Sequence, residues 1–98
     1  MRTLPPFLLK LQEVDNVFFD CIEKTQSISM KPGSIDAKHK ALIFLAVDAY
    51  AGSTGVKGIA KMARNEGASD GEIKEALRIA VSVAMNKTLN TSLNAFER

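Results

Sequence analysis

Two apolar stretches constrain what this chain can fold into more than any other feature. Residues 41–47 read ALIFLAV, and residues 76–85 read ALRIAVSVAM. A helix that is apolar almost all round is either inserted in a membrane or packed on most of its sides. Both stretches are much shorter than the ~20 residues that cross a bilayer. They therefore predict helices in a water-soluble core and no membrane partner.

The composition predicts more apolar surface than one small domain can bury. The chain has 98 residues, 46% of them hydrophobic, and a net charge of +2. A single domain of this length, 1–98, leaves much of its surface outside its own core. We therefore expect the surplus to form an interface between copies of the chain. The net charge is too small to indicate a nucleic acid or an anionic membrane as partner.

Hydrophobic periodicity predicts five helices and no strand. Apolar residues recur at steps of three and four from Leu4 to Ile22, which is the period of an amphipathic helix. The linker at 26–35 contains the helix-breaking sequence KPGS, and Asn86-Lys87-Thr88 is predicted to interrupt the last helical stretch. The predicted helices are 4–25, 36–50, 54–66, 70–85 and 89–96. The expected fold is all-α.

Capping residues support three of these boundaries. Asp36 is a plausible N-cap for the second helix, because its short carboxylate can accept a backbone N–H of the first turn. Gly67 suits the left-handed position that ends the third helix. Ser69 is followed three residues later by Glu72, which is the capping-box pattern at a helix start.

The central part of the chain resembles a known family. Ile35-Asp36-Ala37-Lys38 leads into the apolar stretch 41–47, and ARNEGAS at 63–69 is followed by EIKEAL at 72–77. Their order and spacing resemble the carboxymuconolactone decarboxylase / AhpD-like family of small all-helical proteins, from Ser34 to the end. The resemblance implies an AhpD-like helical bundle of about five helices that assembles as a homo-trimer or hexamer.

The redox branch of that family depends on residues that this chain lacks. That branch carries a Cys-x-x-Cys pair, with a His and a Glu that move the proton needed for thiolate attack. In the two possible registers the pair falls on Ser53 and Val56, or on Gly52 and Gly55, while Cys21 stands alone on the first helix. Thiol-based peroxide reduction is therefore not expected, and neither a cofactor nor a metal is predicted.

The decarboxylase branch does not need cysteines, and the resemblance implies a lyase acting on a small anionic lactone. Such a substrate would require a cation or an imidazole near an inter-helix pocket, for which His39 and Lys40 are the candidates. Asp48 is the third candidate, because a carboxylate near a helix C-terminus is unfavourable by ~0.3–1 kcal/mol. It would either reach water, pair with a cation such as Arg78, or line a pocket. His39 and Lys40 have simpler roles as exposed polar residues of a first helical turn.

The sequence is also compatible with two other functions. Residues 56–78 fit a helix-turn-helix DNA-binding module, with Ala63, Gly67 and Ile73 at the required spacing. Asp70 and Glu72, at the start of the would-be recognition helix, would repel phosphates, and nucleic acid is therefore not the expected partner. The other possibility is a non-catalytic oligomeric member of the family. The first residues contain no long apolar run, so a cytoplasmic location is expected.

Overall fold

The computed structural model describes residues 4–97, which form five α-helices and a short 3-10 helix and include no strand. The elements are α1 (Pro6–Val14), α2 (Asn16–Met30), α3 (Ala37–Tyr50), α4 (Val56–Asn65), α5 (Asp70–Ser92) and the 3-10 helix (Leu93–Phe96). This confirms the all-α prediction. The chain divides into two compact units, Met1–Ser34 and Ile35–Arg98. That residues 1–98 form a single domain stays a prediction.

The first unit contains two helices where one, at 4–25, was predicted, so that prediction is wrong. Asp15 leaves the helical conformation, with φ −152° and ψ 82°. Its carboxylate accepts the backbone N–H of Phe18 at 3.1 Å and so caps a new helix. The apolar period continues across this break and conceals it. Helix α2 also runs to Met30, past the predicted end at residue 25.

The second unit begins as its capping residues predict. Asp36 accepts the backbone N–H of His39 at 2.8 Å and caps α3. Gly67 follows the end of α4 with φ +96°, in the left-handed region where a residue with a Cβ is strained. The predicted helices 36–50 and 54–66 thus lie within two residues of α3 and α4.

Helix α5 is longer than predicted. Its start is confirmed, because Ser69 and Glu72 form both hydrogen bonds of the capping box. The predicted interruption at 86–88, and with it the separate helix at 89–96, is wrong: α5 continues to Ser92. The physical reason is that no glycine or proline follows Gly71, and asparagine or threonine alone lowers helix stability only slightly.

Helix α3 is the centre of the second unit and packs against both α4 and α5. The buried core consists of Ala41, Leu45, Ala63, Ala68 and Ile73. Contacts near both ends of α3 show that α3 and α5 run parallel. Lys38 reaches Glu72 near the two starts, and Tyr50 lies under Lys87 further along.

The burial of α3 and α5 is one-sided. Ile43 and Val47 on α3 are 52% and 61% exposed, and Ile79, Val81 and Met85 on α5 are also exposed. Within residues 4–97, the two apolar helices therefore do not find the all-round packing that their sequences predict. No helix in residues 4–97 has the length and apolar character needed to cross a membrane.

Candidate functional site

The first candidate residue, His39, forms a close pair with the cap of its own helix. Its Nδ1 lies 2.7 Å from Oδ1 of Asp36. Hydrogen bonds from the backbone N–H of His39, and then from its ring, lower the pKa of Asp36. The lowered pKa favours the ionised carboxylate, which accepts a hydrogen bond from Nδ1–H of His39 and leaves Nε2 as the other ring nitrogen. Both side chains are more than half exposed.

A second charged pair lies at the same end of the unit. Lys38 Nζ lies 2.9 Å from Oε2 of Glu72, and both side chains are about one-third exposed. The pKa of Glu72 is lowered by the hydrogen bond from the backbone N–H of Ser69 and by Lys38. The hydrogen bond to Glu72 in turn raises the pKa of Lys38. Glu72 thus caps α5 and ties it to α3.

Lys40, the second candidate, lies on the first turn of α3 and is half-buried. Together with Lys38 and His39, it gives three consecutive basic side chains at the start of this helix. The helix dipole disfavours positive charge at this end, and Asp36 offsets that effect.

Asp48, the third candidate, is half-buried at the other end of α3. It forms no ion pair with Arg78 in the part of the chain that the structure describes. Instead its Oδ2 lies 3.6 Å from the place that a Cβ on Gly55 would take. Gly55 is the N-cap residue of α4, and as a glycine it has no side chain that could cap the first turn of this helix. The carboxylate therefore lies near the positive end of α4, where a negative charge is favourable.

The structure does not bring the three candidate residues together. His39 and Asp48 are nine residues apart on α3, which corresponds to about 13 Å along the axis and half a turn in rotation. They therefore project from opposite faces of one helix. At most, His39 and Lys40 can share a site. The prediction of no metal stays untested, although no cluster of three potential ligands occurs within residues 4–97.

A concave surface of this unit lies away from these three residues. An open groove of about 530 Å³ follows α5 and is lined by Val81, Ala84, Met85, Thr88, Leu89 and Ser92. None of the three candidate residues lines it. Sequence reasoning missed this groove because it ended the helix at Met85. Spacings of three and four that continue to Ser92 were the signal that could have revealed it.

Comparison with models of protein families gave a match. The model of the carboxymuconolactone decarboxylase family matches residues 17–98. The chain belongs to this family. The match includes almost all of α2, which lies upstream of the resemblance noted from Ser34 onward, and it confirms the family inferred from the sequence motifs. Comparisons with curated proteins and with solved structures gave no match.

Proposed function

We propose that this chain is a homo-oligomeric carboxymuconolactone decarboxylase family protein that works without thiol chemistry. The observation that supports assembly is the apolar surface on the outer sides of α3 and α5. Ile43 and Val47 project from one helix, and Val81 and Met85 from the other, all of them exposed. Side chains of this kind clustered on a surface mark interaction sites.

The energetic argument for assembly follows from these exposed side chains. Fully burying one large apolar side chain is worth ~1.5–3 kcal/mol. Several such side chains across an interface would offset the cost of association, which is of order 4–15 kcal/mol. The family resemblance makes a trimer or hexamer the expected assembly, and copies of the same chain are its expected partners.

The proposal of no thiol chemistry is supported by the number and position of the cysteines. Cys21 is the single cysteine of the sequence, and it lies exposed on α2. A dithiol mechanism needs a second thiol to resolve the oxidised first one. No Cys-x-x-Cys pair exists to supply it.

Light scattering on the purified chain at micromolar concentration tests the assembly. We expect a trimer or hexamer, and a stable, folded monomer would contradict the proposal.

Peroxide consumption with a dithiol donor tests the chemistry, with Cys21→Ser as the matched control. Turnover by the wild-type chain that disappears in Cys21→Ser would show that thiol chemistry does occur.

A second candidate function is a cysteine-independent lyase, which the His39–Asp36 pair favours. Asp36 holds the ring at 2.7 Å with Nε2 free, an arrangement suited to general acid–base catalysis. In the decarboxylation of a small anionic lactone, the C–C bond to the carboxylate breaks, the carboxylate leaves as CO₂, and the electron pair of that bond stays on the remaining substrate. His39, when protonated, would deliver the proton which that electron pair accepts. Lys40 would supply a cation to attract the anion.

Loss of lactone substrate over time tests this second candidate. His39→Gln should abolish turnover while the helical circular dichroism stays unchanged. Asp36→Asn should reduce turnover. Asparagine still caps the helix, but it has no negative charge to accept the hydrogen bond from the His39 ring. Lys57→Gln, on the exposed side of α4, serves as the control. Wild-type turnover that survives His39→Gln would contradict the assigned role, and a wild type without turnover would leave the non-catalytic proposal.

The packing of α5 gives no support to the helix-turn-helix alternative. Ile73, Ala76 and Ala80 on this helix are buried, and α5 packs along α3. Asp70 and Glu72 at its start are ionic partners of Arg64 and Lys38. A recognition helix needs this surface free and basic to approach the phosphates of DNA.

A further inference from the structure

The ion pair between Lys38 and Glu72 lies beside the pair formed by Asp36 and His39. Lys38 directly precedes His39 and is the second residue after Asp36. Besides the hydrogen bonds from the backbone N–H and the ring of His39, the charge of Lys38 lowers the pKa of Asp36. Besides the hydrogen bond to Glu72, the charge of Asp36 raises the pKa of Lys38. The Lys38 ammonium therefore lies within electrostatic range of two carboxylates, one on each helix.

Glu72 holds Lys38 because the start of α5 fixes the position of the Glu72 carboxylate. Its Oε1 accepts the backbone N–H of Ser69 at 2.9 Å, within the capping box. Its Oε2 lies 2.9 Å from Nζ of Lys38, and both side chains are about one-third exposed. The side chain of Asp36 is more exposed, at 65%. Salt screens a partly buried pair less than an exposed one, so Glu72 is the stronger partner of Lys38.

A Lys38 side chain released from Glu72 would compete with His39 for Asp36. Its ammonium is a compact charge with three donors on a flexible stem of four carbons. In the structure, Oδ1 of Asp36 accepts both the backbone N–H of His39, at 2.8 Å, and Nδ1–H of its ring, at 2.7 Å. A second cation on this carboxylate would weaken the hydrogen bond to the ring. It would also disfavour the protonated ring, because like charges repel.

We propose that Glu72 is a positioning residue for His39: by binding Lys38, it leaves the Asp36 carboxylate to the imidazole ring. The inference rests on the lyase as the proposed function, in which His39 delivers a proton. It adds that α5 has a part in this site, although all three candidate residues lie on α3. Glu72 acts on His39 only through Lys38 and Asp36.

Two variants that break the same ion pair from opposite ends test the inference. Glu72→Gln keeps one oxygen for the Ser69 N–H, and its amide nitrogen cannot accept from Lys38, so the lysine is released. Lys38→Met removes the ammonium and keeps an unbranched side chain. Both variants lose the link between α3 and α5, but only Glu72→Gln leaves a cation free to compete for Asp36. Circular dichroism verifies that both fold.

The first measurement is the position of the proton on the ring of His39, the single histidine of the sequence. Nitrogen-15 NMR of the neutral ring distinguishes the Nδ1–H form from the Nε2–H form. Asp36→Ser keeps a helix cap without the carboxylate and gives the reference for a ring that lacks this partner. We expect mainly Nδ1–H in the wild type and in Lys38→Met. In Glu72→Gln, the Nδ1–H fraction should fall toward the value in Asp36→Ser.

The double variant Lys38→Met/Glu72→Gln provides the rescue. Its Nδ1–H fraction should return to the wild-type value, because the competing cation is gone even though the ion pair is absent. Turnover of carboxymuconolactone, used as the probe substrate, should follow the same order. We expect a roughly tenfold loss in Glu72→Gln, smaller than the ~10²–10⁴-fold contribution of general acid–base catalysis, and recovery in the double variant. Glu75→Gln, also exposed on α5, controls for the loss of one negative charge.

Several NMR results would overturn the inference. An unchanged ring in Glu72→Gln, or a double variant that does not recover, would show that Lys38 does not compete for Asp36. An equal change in Lys38→Met would show that the ion pair acts through the packing of α3 against α5. A wild-type ring that matches the one in Asp36→Ser would show that Asp36 does not hold it.

The proposed function fails in a different way. A wild type without lactone turnover would overturn the lyase proposal. The NMR comparison needs no substrate, so it would still decide whether Glu72 controls the ring of His39.

Discussion

At the scale of single residues, Asp48 shows how a charge can be placed within an apolar sequence. The sequence alone shows that this carboxylate is unfavourably placed near the end of α3, and it leaves open whether the side chain reaches water, pairs with a cation or lines a pocket. In the structure the carboxylate lies close to Gly55 at the start of the next helix, and it forms no ion pair with Arg78 within residues 4–97. Sequence reasoning could identify the unusual charge. It could not predict that the carboxylate lies near the start of α4, since that depends on how the 51–55 loop folds back.

We expect Asp48→Asn to destabilise the chain by about 0.3–1 kcal/mol, the usual value for a charge at a helix terminus. The variant keeps the shape of the side chain and removes its charge. Denaturant unfolding of both proteins at low and high salt measures the effect, which salt should reduce. A loss above about 2 kcal/mol would contradict this account and indicate a buried ionic partner.

At the scale of helices, the sequence predicted the starts of helices better than it predicted a break within a helical stretch. Asp36 and the Ser69–Glu72 pair marked their helices correctly, because a cap depends on residues three positions apart. Asp15 is an equally good cap, but the apolar pattern on both sides of it favoured one continuous helix. Periodicity reports which face is apolar and not whether the backbone is interrupted.

The Lys38–Glu72 contact between α3 and α5 predicts a loss of stability in acid. Because the pKa of Glu72 is lowered in the fold, its contribution is complete above its ordinary pKa of 4.5. It is lost as the pH falls through the lower folded value. The pKa of Asp36, also lowered, adds a loss below its ordinary value of 3.8. The raised pKa of Lys38 has the opposite sign, so its contribution is lost above pH 10.5.

Urea unfolding at a series of pH values measures this dependence. Glu72→Gln retains an oxygen for the capping box and removes the charge. It should lower stability at neutral pH and flatten the decrease below pH 4.5, the ordinary value for this carboxyl. Glu75→Gln, an exposed glutamate one turn further on the same helix, is the matched control. An acid dependence that is unchanged in Glu72→Gln would contradict the role of the contact.

At the scale of the molecule, the family and the all-α fold could be predicted from sequence, whereas the extent of α5 and the groove along it could not. The apolar stretch 41–47 and the capping residues are local patterns, which a sequence displays directly. Whether His39 and Asp48 share a site depends on the rotation of α3, and their nine-residue separation already places them on opposite faces. The groove along α5 depends on where that helix ends, which is the least reliable feature of any sequence reading.

The core of the second unit provides the last prediction. Leu45 is 0% exposed and lies in the cluster with Ala41, Ala63 and Ile73. Three of the five residues of this cluster are alanines, so Leu45 supplies much of its volume. Small neighbours on rigid helices cannot expand to fill a space, and we therefore expect Leu45→Ala to leave a cavity.

Such a cavity typically costs about 3–5 kcal/mol, a large part of the ~5–15 kcal/mol that stabilises a native domain. Leu93→Ala makes the same chemical change at a side chain that is 55% exposed, and it should cost less than ~1 kcal/mol. Denaturant unfolding at several protein concentrations separates folding from assembly, because only the assembly contribution varies with concentration. A Leu45→Ala variant as stable as Leu93→Ala would mean that α3 is not the centre of this core.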